Sequence, residues 1–97
     1  MGYNFEWDPV KAKQNWQKHK VSFERAAEIF WDPTAISVFD VGHSANEDRW
    51  ITFGNDSNQV LLAVVHTFRE ETKEEYTIRI ISARKATRKE HQQYKGF

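Results

Sequence analysis

The side chains of this sequence that could carry chemistry lie mostly in its second half. His66 follows the apolar run 61–65 and could exchange a proton near neutral pH, although a histidine in such a setting is often a hydrogen-bonded core residue. Arg79 lies between two isoleucines of a predicted strand, so its side chain points away from theirs and needs a carboxylate, a phosphate or solvent as its partner. Glu47 or Asp48 could be that partner in a purely structural ion pair, which leaves the role of Arg79 open between structure and phosphate binding.

A basic segment continues from Arg79 to the end of the chain. Residues 76–97 contain six Lys or Arg and one Glu, a net charge of +5, in a sequence whose formal charge is zero. On a predicted helix, four of these cations become neighbours that repel one another, so an anionic partner would relieve the repulsion. They are Arg84, Lys85, Arg88 and Lys89. The segment fits either a phosphate-binding surface or a solvated helix face.

Several common site types are absent from the sequence. It has no GxxxxGK(S/T) loop, no GxGxxG motif, no cysteine, and no HExxH or HxxxH spacing among its four histidines. We therefore expect no obligatory metal and no cofactor. The remaining polar groups suit RNA cleavage without a metal, which needs a base for the ribose 2′-hydroxyl, cations for the phosphorane charge and an acid for the leaving 5′-oxygen.

Two helices are predicted at the start of the chain. Asp8 and Pro9 are typical of a helix N-terminus, and the first helix is predicted to run to about His19. Its apolar stripe is predicted to be Ala12, Trp16 and His19. The second helix is predicted to begin after Ser22 and to end at the dipeptide 32–33, because a residue before proline avoids helical geometry.

Four strands and a last helix are predicted to follow. The strands cover residues 35–41, 50–53, 60–68 and 76–81, and the near-continuous apolar character of 60–68 indicates a central strand covered on both faces. A last helix over 84–95 is predicted to be capped by Ser82 or a neighbour. The order ααββββα with short connections predicts an α+β fold with an antiparallel sheet, in one domain spanning 1–97.

The expected location is the cytoplasm. No apolar run approaches the roughly 20 residues that span a membrane, and Asn4, Glu6 and Asp8 interrupt any signal-like stretch at the start. The absence of cysteine is compatible with a reducing compartment.

Nearly the whole chain resembles BrnT-type toxins, and the matching stretches occur in the same order as in that family. The matching stretches are 5–9 (FEWDP), 15–26 (NWQKHKVSFERA), 30–33 (FWDP), 47–50 (EDRW), Gly54 and 78–86 (IRIISARKA), followed by Arg88, Glu90 and Tyr94. One position departs from the family, which usually has glycine where this chain has Lys20. If the first helix ends there in left-handed geometry, the non-glycine residue costs on the order of 1 kcal/mol.

The resemblance implies a RelE-like ribonuclease fold and the toxin half of a bacterial type II toxin–antitoxin pair. It implies a BrnA-type antitoxin with a ribbon-helix-helix DNA-binding part, a complex of two toxins and two antitoxins, and contact with operator DNA only through the antitoxin. The candidate catalytic residues are His66, Arg79, Arg84 and Glu47, and the candidate RNA-binding residues are Arg49, Lys85, Arg88 and Lys89. We expect the antitoxin to cover the sheet and the last helix.

Two other functions compete with an endoribonuclease. A catalytically inactive relative would bind only an antitoxin or nucleic acid. A separate RNA-binding module would stack aromatic side chains on bases, but most aromatic residues of this chain fall at predicted core positions.

Overall fold

The computed structural model describes residues 2–44 and 46–95, which form five strands and three α-helices. Along the chain these are β1 (Gly2–Glu6), α1 (Pro9–His19), α2 (Phe23–Glu28), β2 (Ile36–Phe39), β3 (Arg49–Asn55), β4 (Leu61–Glu70), β5 (Glu75–Lys85) and α3 (Arg88–Lys95). The predicted α+β class is confirmed. The prediction of four antiparallel strands is wrong, since the sheet has five strands and is mixed.

The strand that the sequence analysis missed is β1. The sheet order is β1-β5-β4-β3-β2, and β1 runs parallel to β5 while the other neighbours are antiparallel. The alternation of Tyr3 and Phe5 was its local signal, but its partner comes from the opposite end of the chain, so no hairpin turn announces the pairing. The prediction of a central strand is confirmed, because β4 lies in the middle of the sheet and residues 61–64 are all buried.

The core lies between the helices α1 and α2 and one face of the sheet, here called the inner face. Its buried members are Val21, Phe23, Ala26, Ile29, Leu62, Val64, Ile78, Ile80 and Ala83. Full burial of a large apolar side chain contributes about 1.5–3 kcal/mol, so Phe23 and Ile29 alone hold α2 and its following turn firmly against the sheet. The opposite face, here called the outer face, carries the polar residues discussed below.

Both predicted helix starts in the first third of the chain are confirmed. The Asp8 carboxylate accepts a hydrogen bond from the Val10 amide at 2.8 Å, and Ser22 Oγ accepts from the Arg25 amide at 3.1 Å. Helix α1 ends at Lys20, whose φ of 57° is left-handed. Helix α2 ends at Glu28, earlier than predicted, and one 3₁₀ turn, Ile29–Trp31, carries the chain to Asp32.

The predicted apolar stripe of α1 is partly wrong. Trp16 is 49% exposed, and the buried residue of the helix is Asn15. The Asn15 side chain accepts from the Ala83 amide at 3.0 Å and donates to the Ala83 and Val21 carbonyls at 2.8 and 2.9 Å. Pairing between β1 and β5 stops at Arg79, so Asn15 supplies the hydrogen bonds that a neighbouring strand would otherwise make.

A β-bulge interrupts the pairing of β4 with β5. Val65 pairs with Ser82 and His66 pairs with Ile80, which leaves Ile81 as an extra residue. The extra residue reverses the alternation of side chains, so Ala83 joins Ile80 on the inner face. Residues beyond the bulge therefore point opposite to what a regular strand would give.

The predicted start of the last helix is wrong. Strand β5 continues to Lys85 because residues 84 and 85 still pair with β4, and the helix begins only at Arg88. Thr87 Oγ1 accepts from the Glu90 amide at 3.2 Å, while a Glu90 carboxylate oxygen accepts from the Thr87 amide at 2.8 Å. This reciprocal capping box, rather than Ser82, begins α3.

Candidate active site

A row of polar side chains crosses the outer face at one level of the sheet. Arg49 of β3 pairs with Thr67 of β4, Thr67 pairs with Arg79 of β5, and Arg79 pairs with Glu6 of β1. Paired residues in neighbouring strands point to the same face, so the two arginines flank Thr67. Arg79 lies between Ile78 and Ile80, which are packed in the core on the other face of β5 and fix the backbone beneath it. Arg49 lies on β3, which is hydrogen-bonded to β2 and β4 on its two sides.

Glu47 joins the two arginines from the loop before β3. One guanidinium nitrogen of Arg79 donates to both carboxylate oxygens of Glu47, each at 2.5 Å. Arg49 Nε lies 3.8 Å from a Glu47 oxygen. Among the residues that the structure describes, this Nε is buried without a hydrogen-bond partner. The cluster of Glu47, Arg49 and Arg79, here called the ion cluster, thus combines a carboxylate with two cations, one of them incompletely satisfied.

The ion cluster is open to solvent. The side chains of Arg79, Glu47 and Arg49 are 43%, 38% and 31% exposed. A salt bridge with this exposure contributes only about 0–1 kcal/mol to stability, because water screens the charges. The contact with Glu47 is the structural ion pair that the sequence analysis considered for Arg79. Because this pair contributes so little to stability, a phosphate that replaced the carboxylate would cost little folding free energy.

Arg84 lies on the same face, but its guanidinium is paired with a carboxylate of α3. It pairs with Ala63 across the sheet, and its guanidinium donates to the two Glu90 oxygens at 2.7 and 3.0 Å. These hydrogen bonds from Arg84 lower the pKa of Glu90 to about 2, against the effect of burial. Their partners in β4, Thr67 and Ala63, are four residues apart, so at about 3.3 Å per residue Arg84 lies roughly 13 Å along the sheet from Arg79. Side chains that stand perpendicular to the sheet at this separation do not meet at one phosphate.

The remaining predicted RNA-binding residues lie farther from the ion cluster. Lys85 follows Arg84 in β5 and pairs with Leu62, so it points to the inner-face side of the sheet. Arg88 and Lys89 are exposed in the first turn of α3. They form a cationic surface at the start of this helix rather than a lining for the ion cluster.

His66 lies away from the ion cluster, on the inner face. It is 3% exposed, and its ring packs edge-on against Phe30 with 4.8 Å between centroids. Nε2 lies 2.6 Å from Thr52 Oγ1, and Nδ1 lies 3.2 Å from the Thr67 carbonyl oxygen. Burial lowers the pKa of His66 to about 4, so the ring is neutral at pH 7. These surroundings match one of the two roles that the sequence analysis left open for His66, that of a hydrogen-bonded core residue.

Sequence reasoning missed the side chains that hold α3 over the outer face. The Tyr94 hydroxyl donates to Asp32 at 3.2 Å and also contacts Thr34. Burial acts to raise the pKa of Asp32, but hydrogen bonds from Asn55, Thr34 and Tyr94 lower it to about 2. The sequence signal that could have found this arrangement was the T-x-x-E capping motif at 87–90, which predicts the helix start.

Across residues 2–44 and 46–95, no three His, Asp or Glu side chains form a group that could hold a metal ion. Within the same ranges, no helix has the length and apolar character needed to cross a membrane.

Comparisons with known proteins give a family from the sequence and a matching fold from a solved structure. A family model described as "Ribonuclease toxin, BrnT, of type II toxin-antitoxin system" matches residues 7–90. A 1.1 Å crystal structure of the ribonuclease toxin BrnT from Brucella abortus superposes with a TM-score of 0.61 at 20% identity, covering 91% of this chain and 100% of that one. At this identity the superposition shows a shared fold. No curated protein sequence matches. The chain belongs to the BrnT family of ribonuclease toxins of type II toxin–antitoxin systems.

Proposed function

We propose that this chain is an endoribonuclease that cleaves RNA without a metal ion, and that the ion cluster is the centre of its active site. The observation that carries the proposal is the contact of the Glu47 carboxylate with Arg79 and Arg49 on a solvent-exposed, rigid sheet face. A carboxylate can act as a base, and two guanidinium groups can hold a phosphate and stabilise charge that develops on it.

The chemistry assigns one step to each group. An RNA phosphate replaces Glu47 as the partner of Arg79 and also satisfies Arg49 Nε. Glu47 then accepts the proton of the neighbouring 2′-hydroxyl, the 2′-oxygen forms a bond to phosphorus, and the bond from phosphorus to the 5′-oxygen breaks. Water at this open site protonates the leaving 5′-oxygen. Each arginine contact that strengthens in the transition state contributes about 2.7–4 kcal/mol.

His66 was offered by the sequence analysis as the group that exchanges a proton. The mechanism gives it no step because its side chain is buried on the inner face and both ring nitrogens lie within hydrogen-bond distance of protein oxygens. Arg84 is proposed to bind RNA beyond the scissile phosphate after releasing Glu90. Lys85, Arg88 and Lys89 are proposed to add longer-range attraction for the RNA backbone, since they are exposed cations.

The proposed partner is a BrnA-type ribbon-helix-helix antitoxin, in a complex of two toxins and two antitoxins that meets operator DNA through the antitoxin. The support for this is membership of a toxin–antitoxin family and the exposed cations of α3, which suit an acidic or amphipathic segment. We propose that the toxin acts on cytoplasmic RNA.

Cleavage of RNA by purified protein in the presence of EDTA tests this function. The parent protein should cleave, and Glu47→Gln, which keeps the side-chain volume but removes the base, should lose at least about 100-fold. The matched control is Lys13→Ala, because Lys13 is an exposed cation of α1, which packs on the inner face, and has no proposed role. Loss of all activity in EDTA with recovery on adding one cation, or full activity of Glu47→Gln, contradicts the proposal.

A further inference from the structure

A second concave site lies on the inner face, on the other side of the sheet from the ion cluster. Arg49 and Trp50 are neighbours in β3 and point to opposite faces, so the two sites share one level of the sheet. The cavity has a volume of about 320 Å³, which is within the usual range for small-molecule sites. Its lining includes Tyr3, Phe30, Trp50, Phe68, Ser37 and His66.

The walls of this cavity are aromatic and partly exposed. Phe68 is 45% exposed and stacks on Tyr76 at 4.9 Å with 23° between the rings. Trp50 is held by an edge contact with Phe39 at 5.1 Å. Flat rings that are fixed by their neighbours and reached by solvent suit stacking on a planar ligand. The sequence had placed most aromatic residues in the core, and the structure instead puts several around an open cavity.

Two lining residues, Ser37 and His66, are joined through the buried Thr52 by hydrogen bonds whose direction can be assigned. His66 Nδ1 must donate to the Thr67 carbonyl, because a carbonyl oxygen only accepts. In the neutral ring Nε2 is then an acceptor, so the Thr52 hydroxyl donates to it at 2.6 Å. Since Thr52 has one proton, Ser37 must donate to Thr52 across their 2.7 Å contact.

This series of hydrogen bonds ends at the Ser37 hydroxyl, which can only accept a further hydrogen bond. Ser37 donates its hydroxyl proton to Thr52. Ser37 is an exposed residue and lines the cavity. The cavity therefore presents a hydrogen-bond acceptor beside aromatic walls. This combination favours a planar aromatic ring that carries an N–H donor.

We propose that this cavity binds a nucleobase that bears an exocyclic amino group, with the base against the aromatic walls and its amino group donating to Ser37 Oγ. This inference deepens the proposed function, on which it rests for its choice of RNA as the source of the base. A purine or pyrimidine amino group matches the acceptor, and base–aromatic stacking accounts for the rings.

Binding of single nucleosides to the full chain, followed by NMR or calorimetry, tests the proposal. Adenosine should bind, and purine riboside, which lacks only the amino group, should bind about 2- to 10-fold more weakly, as expected for one hydrogen bond. Ser37→Ala should weaken adenosine binding to the level of purine riboside and leave purine riboside unchanged. Phe68→Leu, a mild change at an exposed position, should weaken both ligands equally. Ser57→Ala, at an exposed serine that does not line the cavity, is the control.

The outcomes separate this proposal from the proposed function. Nucleoside binding should persist in Glu47→Gln, whether or not RNA is cleaved, because Glu47 lies on the outer face. No binding of any nucleoside, or equal affinity for adenosine and purine riboside, overturns the base site while leaving RNA cleavage to be judged by its own assay. If nucleosides do not bind but Ser37→Ala and Phe68→Leu weaken antitoxin binding, the cavity belongs to the protein partner and the proposal is wrong.

Discussion

Arg79 and Arg84 point to the same face of the sheet although their positions in β5 differ by five, an odd number. In a regular strand such residues point to opposite faces. The β-bulge at Ile81 reverses the alternation between them, so that Arg79 pairs with Thr67 and Arg84 pairs with Ala63 on the outer face. The bulge thus aligns the two arginines along the proposed path of the RNA strand.

The two arginines should differ in their effect on RNA cleavage. Arg79→Ala should lower the rate about 100- to 1000-fold, since Arg79 belongs to the ion cluster. Arg84→Ala should lower it about tenfold, as expected for a binding contact distant from the scissile bond. Both variants should melt within a few degrees of the parent, because both side chains are about 40% exposed. Folded variants that cleave within a few-fold of the parent would remove both residues from the site.

His66 should make the folded protein less stable in mild acid. Its pKa is about 4 in the folded chain and about 6.5 when unfolded, so between these values the unfolded chain binds the proton first. The free energy of unfolding is unaffected above about pH 6.5 and should fall by up to about 3 kcal/mol as the pH drops toward 4.

Urea unfolding at several pH values between 7 and 5 measures the slope of the unfolding free energy against pH. His66→Gln, which keeps an amide oxygen near Thr52, should flatten it. His91→Gln, at an exposed position of α3, should leave it as in the parent. An unchanged slope in His66→Gln would assign the pH dependence to other groups.

Glu90 should stabilise α3 over the outer face. It completes the capping box and holds Arg84, and its side chain is 19% exposed. Glu90→Gln should cost about 1–2 kcal/mol and reduce helical circular dichroism, with Glu74→Gln on the exposed β4–β5 turn as the control. Because the pKa of Glu90 is depressed to about 2, its contribution is complete above about pH 4.5 and is lost as the pH falls through 2.

Lys20 should carry backbone strain at the end of α1. Its φ of 57° is unfavourable for a residue with a Cβ, but its ammonium lies 5.7 Å above the Trp16 ring and gains some attraction there. Lys20→Gly and Lys20→Ala both lack the ammonium, so their difference in stability reports the backbone strain alone. The glycine variant should be more stable than the alanine variant by about 1 kcal/mol in urea unfolding. Equal stability would show that the turn relaxes around alanine.

The exposed cations at the start of α3 should contribute to antitoxin binding. Reversing Arg88 and Lys89 to glutamate should weaken the complex and reduce its dependence on salt. The same reversal at Lys11 and Lys13, two exposed cations of α1, is the matched control. Titration calorimetry at two salt concentrations measures both effects. If only the α1 reversal weakened binding, the antitoxin surface would lie on the helix side instead.

Local signals in the sequence determined the helix starts, the α+β class and the central strand. Asp8 and Ser22 cap helices through their own side chains, and the apolar run before His66 needs no knowledge of its neighbours to indicate a buried strand. The family was also evident from the sequence, since the motifs that carry the resemblance span nearly the whole chain.

The tertiary structure alone decided how the site is assembled. Strand β1 depends on a partner from the far end of the chain, and the bulge at Ile81 exists only in the pairing of two strands. That pairing turns Arg79 and Arg84 to one face and leaves His66 on the other. A single sequence carries residue types and local periods, whereas the face and the partner of each side chain follow from the register between distant segments.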